Sequence, residues 1–164
     1  MKVFAPGFSF GLVFCVCTWA SLSKISFFSG CQAEWTEYQS NCYRYFNAPS
    51  TWTTALENCQ AENGDLVDIL DSGTNDFIRD ISSSGGNQVW LGGFNPLGTP
   101  ALGSWKWHRA SEPWIYENWG SGQPSGDGNY LSMALWSSDI LGYWNDADPS
   151  SYFQYVCKKP KGKV

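Results

Sequence analysis

Hydrophobic positions fall into three regimes along this 164-residue chain. The first is an uncharged stretch from Val3 to Ser23, with Phe8, Phe10, Leu12, Val13, Phe14 and Val16 at its apolar heart. The second has helical spacing. Trp52, Ala55, Leu56 and Cys59 recur at i, i+3, i+4 and i+7 behind a Ser50 or Thr51 cap, and Gly64 stops the run. Phe77, Ile78 and Ile81 form the stripe of a second predicted helix, introduced by Gly73 and Thr74 and closed by Ser82-Ser83-Ser84-Gly85-Gly86. The third regime is strand-like. Cys42 to Phe46 alternates rings with a polar residue, and Leu66, Val67 and Ile69 suggest a short strand. Val89-Trp90-Leu91, Trp105-Lys106-Trp107, Tyr130 to Leu135, Tyr143-Trp144 and Tyr152 to Val156 are short β-type runs between Gly, Pro, Asn and Asp. Two helices followed by a series of strands predict an α+β fold. The stretch between Trp107 and Asn129 is rich in Gly, Pro, Ser and Trp and lacks regular pattern; loops of that length tend to be functional.

The first regime is a targeting problem. Lys2 ahead of the apolar run gives a signal-peptide pattern over residues 1–23, with cleavage expected between Ala20 and Gly30. The rival is a type II membrane signal anchor, because 21 uncharged residues approach the roughly 20 that span a bilayer. Pro6, Gly7 and Gly11 interrupt the run and favour cleavage. Either way the remainder is expected outside the cytosol, as a secreted, extracellular domain with no membrane span of its own.

Removing the leader takes Cys15 and Cys17 and leaves Cys31, Cys42, Cys59 and Cys157, an even set in a small exported domain. Four cysteines allow three connectivities, and their spacing favours a short clip Cys31–Cys42 with a long staple Cys59–Cys157. A cysteine metal site is disfavoured, since no CxxC pair exists and the sole histidine, His108, is distant.

Composition narrows the function classes. Aromatics at 17% and 17 Gly describe a folding chain, not a disordered one. A net charge of −5 without a basic stripe excludes nucleic acid as a partner. An enzyme is not expected: one histidine and no free mature cysteine leave little for nucleophilic schemes, and nothing marks out Asp146 and Asp148 as an acid/base pair. His108 reads as an exposed loop residue.

Several pieces then occur in order: Cys31-x3-Trp35-x6-Cys42, Tyr43-Arg44-Tyr45-Phe46, a helix with Trp52, Ala55 and Cys59, Trp90-Leu91-Gly92-Gly93, Asn118-Trp119, Gln123-Pro124, Trp144-Asn145-Asp146 and Tyr155-Val156-Cys157. Together they resemble a C-type lectin-like domain over residues 31–158, leaving 159–164 as a basic, solvated tail. The resemblance implies two helices, antiparallel sheets and a long ligand-binding loop, with Cys59–Cys157 closing the domain and Cys31–Cys42 clipping an N-terminal hairpin. It makes Trp90 and Leu91 core and Trp119 the anchor of the loop. A second cysteine pair common in the family is missing, with Tyr130 and the neighbourhood of Pro149 in its place, which implies a more mobile loop.

For function, the resemblance implies a calcium-dependent lectin whose partners are glycans or glycoproteins. A cis-proline at Gln123-Pro124-Ser125 would aim oxygens at Ca²⁺, joined by Asn145 and by the side chain and carbonyl of Asp146, with Asp127 the nearest further acid. The metal set is therefore Gln123, Asp127, Asn145 and Asp146, and the sugar set adds Ser125. Gln123 leans toward galactose-type hydroxyl geometry. Ser125 departs from the family, standing where galactose-type members have Asp and mannose-type members Asn. No tryptophan follows the proline between Gly126 and Asn129, and Trp136 or Trp114 is the substitute stacking ring. The competing expectation is a calcium-independent module for a protein partner or an ice surface, with Gln-Pro-Ser a polar turn and Asn145-Asp146 holding loop backbone through hydrogen bonds. A homo-oligomer stays open, because clustering raises the avidity of a shallow site, although no heptad stalk is visible.

Overall fold

The structure, a computed structural model, describes residues 30–84, 87–98 and 104–162. The expected leader lies outside the described residues, none of whose helices is long and apolar enough to cross a membrane. The elements run β1 (Thr36–Tyr38), β2 (Asn41–Ser50), α1 (Trp52–Ala61), β3 (Asp65–Leu66), α2 (Ser72–Ser82), β4 (Gln88–Phe94), β5 (Lys106–Trp107), β6 (Tyr130–Ala134), β7 (Trp144–Ala147) and β8 (Phe153–Pro160).

Both helices form for local reasons. The Thr51 hydroxyl caps α1 by accepting from the Thr54 N–H at 3.4 Å, and the face predicted from spacing, Trp52, Ala55, Leu56 and Cys59, is the buried one. Asn63 takes the left-handed turn after the helix (φ 60°), and the Gly64 N–H closes back on the Cys59 carbonyl at 2.9 Å. Gly64 is needed there for closeness, since a Cβ would lie 2.8 Å from the Lys158 carbonyl oxygen. The cap of α2 is Asp71, two residues before the predicted start. Its carboxylate accepts from the Thr74 N–H at 2.7 Å and the Thr74 hydroxyl at 2.9 Å.

The strands join in the order β1-β2-β8-β4-β6-β7, with β3 on β8 and β5 on β4. Strand β2 runs antiparallel to β8 from Asn41↔Pro160 to Ser50↔Phe153, bringing the two ends of the domain together. The antiparallel expectation needs one correction: β4 and β8 pair in parallel, with Trp90 opposite Tyr155, so the sheet is mixed. Non-local pairing of this kind leaves no trace in alternation. Disulfides Cys31–Cys42 and Cys59–Cys157 are both present. Trp52 donates its indole N–H to the Leu91 carbonyl at 2.8 Å and Trp90 to the Ser50 carbonyl at 2.9 Å, so these buried rings are satisfied core.

Two polar readings also change. Strand β8 continues to Pro160, so Lys159 belongs to the sheet and not to a solvated tail. Its ammonium sits 3.8 Å from the centre of the Trp35 ring and donates to Gln32 Oε1 and the Glu62 carbonyl; burial pushes its pKa below the usual lysine value. His108 is half-buried and its Nδ1 lies 3.0 Å from Asp65 Oδ1, so it is a paired group at the head of the long loop.

Candidate functional site

The chain from His108 to Asn129 folds back onto β7. The Trp144 N–H donates to the Asn118 carbonyl at 2.7 Å and the Gly120 N–H to the Trp144 carbonyl at 2.9 Å. Above this ladder the rings of Trp105, Trp107, Trp114, Trp119 and Trp144 pack together, with centroids 4.9 Å apart for Trp105 and Trp119 and 4.6 Å for Trp107 and Trp114. Trp119 therefore anchors the loop as expected. Trp114 is drawn into the same cluster, its indole N–H donating to Glu117 Oε1 at 2.6 Å, and does not reach the proline turn. The β6–β7 connection is held from below. Asn75 on α2 donates to the Gly142 carbonyl at 3.1 Å and accepts from the Trp144 indole at 2.8 Å, while Asn118 donates to the same carbonyl at 2.8 Å.

The Gln123–Pro124 bond is cis. Asp146, 0% exposed on β7, reaches into the turn that follows. Its Oδ1 accepts from the Ser125 N–H at 2.7 Å and lies 3.3 Å from the Ser125 hydroxyl; its Oδ2 accepts from the N–H groups of Gly126 at 2.8 Å and Gly128 at 3.3 Å. Gln123 Oε1 shares the Ser125 N–H at 2.8 Å. The Ser125 hydroxyl donates to Asp127 Oδ1 at 2.7 Å, and Asn145 Nδ2 donates to the Asp146 carbonyl at 2.8 Å. The five residues singled out from the sequence are thus brought into one hydrogen-bonded network.

Ca²⁺ takes about six to eight oxygen ligands. Here both Asp146 oxygens already accept from the loop, and a carboxylate offers only about four lone-pair sites. Gln123 Oε1 and Asp127 Oδ1 accept from Ser125 as well, which leaves Asn145 Oδ1 and Asp127 Oδ2 as the side-chain oxygens outside the network, far fewer than six. In this arrangement the residues do not fit the ion.

Beside the network lies a cleft of about 180 Å³, walled by Gln123, Asn145, Trp136, Ile140, Tyr143 and Trp144. Trp136 is 47% exposed and Tyr143 42% exposed, so two aromatic faces stand open next to two amides. Spacing along the chain does not distinguish Trp136 from Trp114; the fold does, by packing Trp114 among the other tryptophans and leaving Trp136 beside the cleft. Tyr143 is read from the sequence only as part of a β-type run, just ahead of β7, and Asn75 is not read at all. Tyr143 directly precedes Trp144-Asn145-Asp146, which is the further signal it carries.

The family model for the Lectin C-type domain matches residues 48–159. The chain belongs to the C-type lectin domain family. A perlucin-like protein of Mytilus galloprovincialis is 32% identical over 131 residues, covering 77% of this chain and 81% of that protein. The domain is also 28% identical to the secretory phospholipase A2 receptor of Oryctolagus cuniculus, of whose length it spans 9%. Among solved structures, the cow C-type carbohydrate-recognition domain of CD23, determined in the presence of a GlcNAc2Man3 oligosaccharide, superposes with a TM-score of 0.68. That match has 26% identity and covers 80% of this chain and 97% of the other. The mixed sheet, the two helices and the two disulfides agree with the fold of a C-type lectin domain.

Proposed function

We propose that this C-type lectin domain is an extracellular carbohydrate-binding module that seats a pyranose in the cleft between Trp136, Tyr143, Gln123 and Asn145. The observation that carries the reading is the juxtaposition of two open aromatic faces with two side-chain amides in one concavity. A pyranose offers an apolar C–H face and a polar rim, and this cleft offers the complement of both. Gln123 keeps its Nε2 donors and Asn145 its Oδ1 acceptor outside the loop network, so one rim hydroxyl can accept while its neighbour donates. A galactose-type ring suits the indole better than a mannose-type ring, because its axial 4-hydroxyl leaves the opposite side as a continuous C–H face. The two disulfides fit an oxidising, extracellular setting.

Retention on immobilised galactose and mannose tests this. The wild-type domain is expected to bind galactose and to be released by free sugar, and Trp136→Ala is expected to pass through. Equal flow-through of both proteins on every glycan would sink the reading and turn attention to the protein-partner or ice-surface alternative.

A further inference from the structure

We infer that the turn Ser125–Gly128 is held in its working shape by the Asp146 carboxylate, so that the site of this chain is assembled without a divalent cation.

The turn forms a small concavity of backbone N–H groups. Ser125, Gly126 and Gly128 all direct their N–H bonds at one carboxylate, at 2.7, 2.8 and 3.3 Å. Successive N–H groups around a left-handed residue make an anion-binding nest, and Gly126 supplies that residue with φ 88°. Asp146 is the nest's anion. The partial positive charge that a cation would bring to Gln123 Oε1 and Asp146 Oδ1 is already supplied by the Ser125 N–H, which lies 2.8 and 2.7 Å from them. A cation placed among these oxygens would face three inward-pointing N–H dipoles and compete with them for the Asp146 lone pairs.

Packing reinforces the electrostatics. Asp146 is fully buried and sits in β7 opposite Leu131, so its carboxylate is fixed by the sheet and does not follow the loop. Gly128 lies so close to β7 that a Cβ there would come 1.9 Å from the Ala147 carbonyl carbon. Only glycine permits that approach, and the approach brings the third N–H to Asp146. The Ser125 hydroxyl has a single proton, given to Asp127, which ties the outer rim of the turn to its base. An uncompensated buried carboxylate would be costly, and an uncompensated row of N–H groups likewise, so each side of the latch depends on the other. Asp146 is thus a positioning residue: it acts on the cleft through Ser125 and the cis-proline turn that carries Gln123. The consequence for saccharide binding rests on the proposed function; the latch itself does not.

Amide hydrogen exchange followed by NMR tests the latch on the whole domain, first in EDTA and then with millimolar calcium. The Ser125, Gly126 and Gly128 amides are expected to be protected in EDTA and to keep their chemical shifts when calcium is added. In Asp146→Asn, whose neutral amide cannot accept from all of them, exchange at these three positions should rise about tenfold or more, while Tyr43 and Val156 in the β2·β8 pair are unchanged. Calcium is not expected to restore protection. Protection that appears only with calcium, saturable calcium-dependent shifts of the three amides, or undiminished protection in Asp146→Asn would each overturn the inference. The wild-type arm needs no variant. Protected amides in a domain that retains no sugar would support the latch and count against the proposed ligand alone.

Discussion

The Trp144 indole N–H donates to Asn75 Oδ1 at 2.8 Å, a buried bond that ties α2 to the strand carrying Asn145 and Asp146. Because the other end of the same amide holds the Gly142 carbonyl, Asn75 also steadies the connection that presents Trp136 and Tyr143. Asn75→Ala would strand a buried indole donor and remove a donor from Gly142. The expected cost is about 1–3 kcal/mol in urea unfolding. Unchanged stability would mean that the bond carries no weight.

Trp136 is open to solvent, so its removal separates binding from folding. Trp136→Ala is expected to shift stability by no more than about 0.5 kcal/mol while abolishing retention on galactose. A large drop in Tm, or full retention, contradicts the placement of its ring in the cleft.

Gly128→Ala tests the close approach to β7. The added methyl must push the turn away from the Ala147 backbone, lengthening the contact between its N–H and Asp146. Weakened sugar binding is expected at full calcium, with a thermal midpoint lower than wild type. An alanine variant indistinguishable from wild type would show that the turn has room to spare.

Alkaline titration reads the aromatic core. Burial raises the pKa of Tyr43, Tyr45, Tyr116 and Tyr155, and Asp68 and Asp71 add to the effect at Tyr43. A raised phenol favours the fold while protonated. That stability is complete below the unfolded value of about 10 and is lost as pH rises through the folded values. The tyrosinate absorbance of these four rings should therefore appear only above that value, together with unfolding. Ionisation of these four rings at the ordinary phenol value with the fold intact would contradict the burial.

Reducing the long staple has a different signature. Cys59–Cys157 closes 98 residues, and its loss through Cys59→Ala with Cys157→Ala is expected to cost about 4–5 kcal/mol. Equilibrium unfolding of the double variant measures this, and a cost under about 1 kcal/mol would contradict it.

What the chain revealed in advance follows from how local each feature is. The buried face of α1 was legible because Trp52, Ala55, Leu56 and Cys59 repeat at helical spacing. Strand β1 was not read from alternation, since Thr36, Glu37 and Tyr38 are largely exposed and owe their conformation to β2. The parallel β4·β8 pair joins residues such as Trp90 and Tyr155 that share no local pattern. At the site, side chains were identifiable but their partners were not: the groups that Asp146 serves are backbone N–H bonds, which have no letter in a sequence. Asn75 is a polar residue in an amphipathic helix, and only the tertiary fold turns it inward to Trp144.

The most direct test of the account is a titration of free galactose into the calcium-free domain, followed by NMR of the Trp136 indole N–H and the Gln123 and Asn145 side-chain amides. The account predicts that all three signals move together and saturate with EDTA present, while the Trp90 indole, buried on the Ser50 carbonyl and outside the cleft, stays put. Signals that remain still until calcium is supplied, or that move around Trp114 instead, would contradict it.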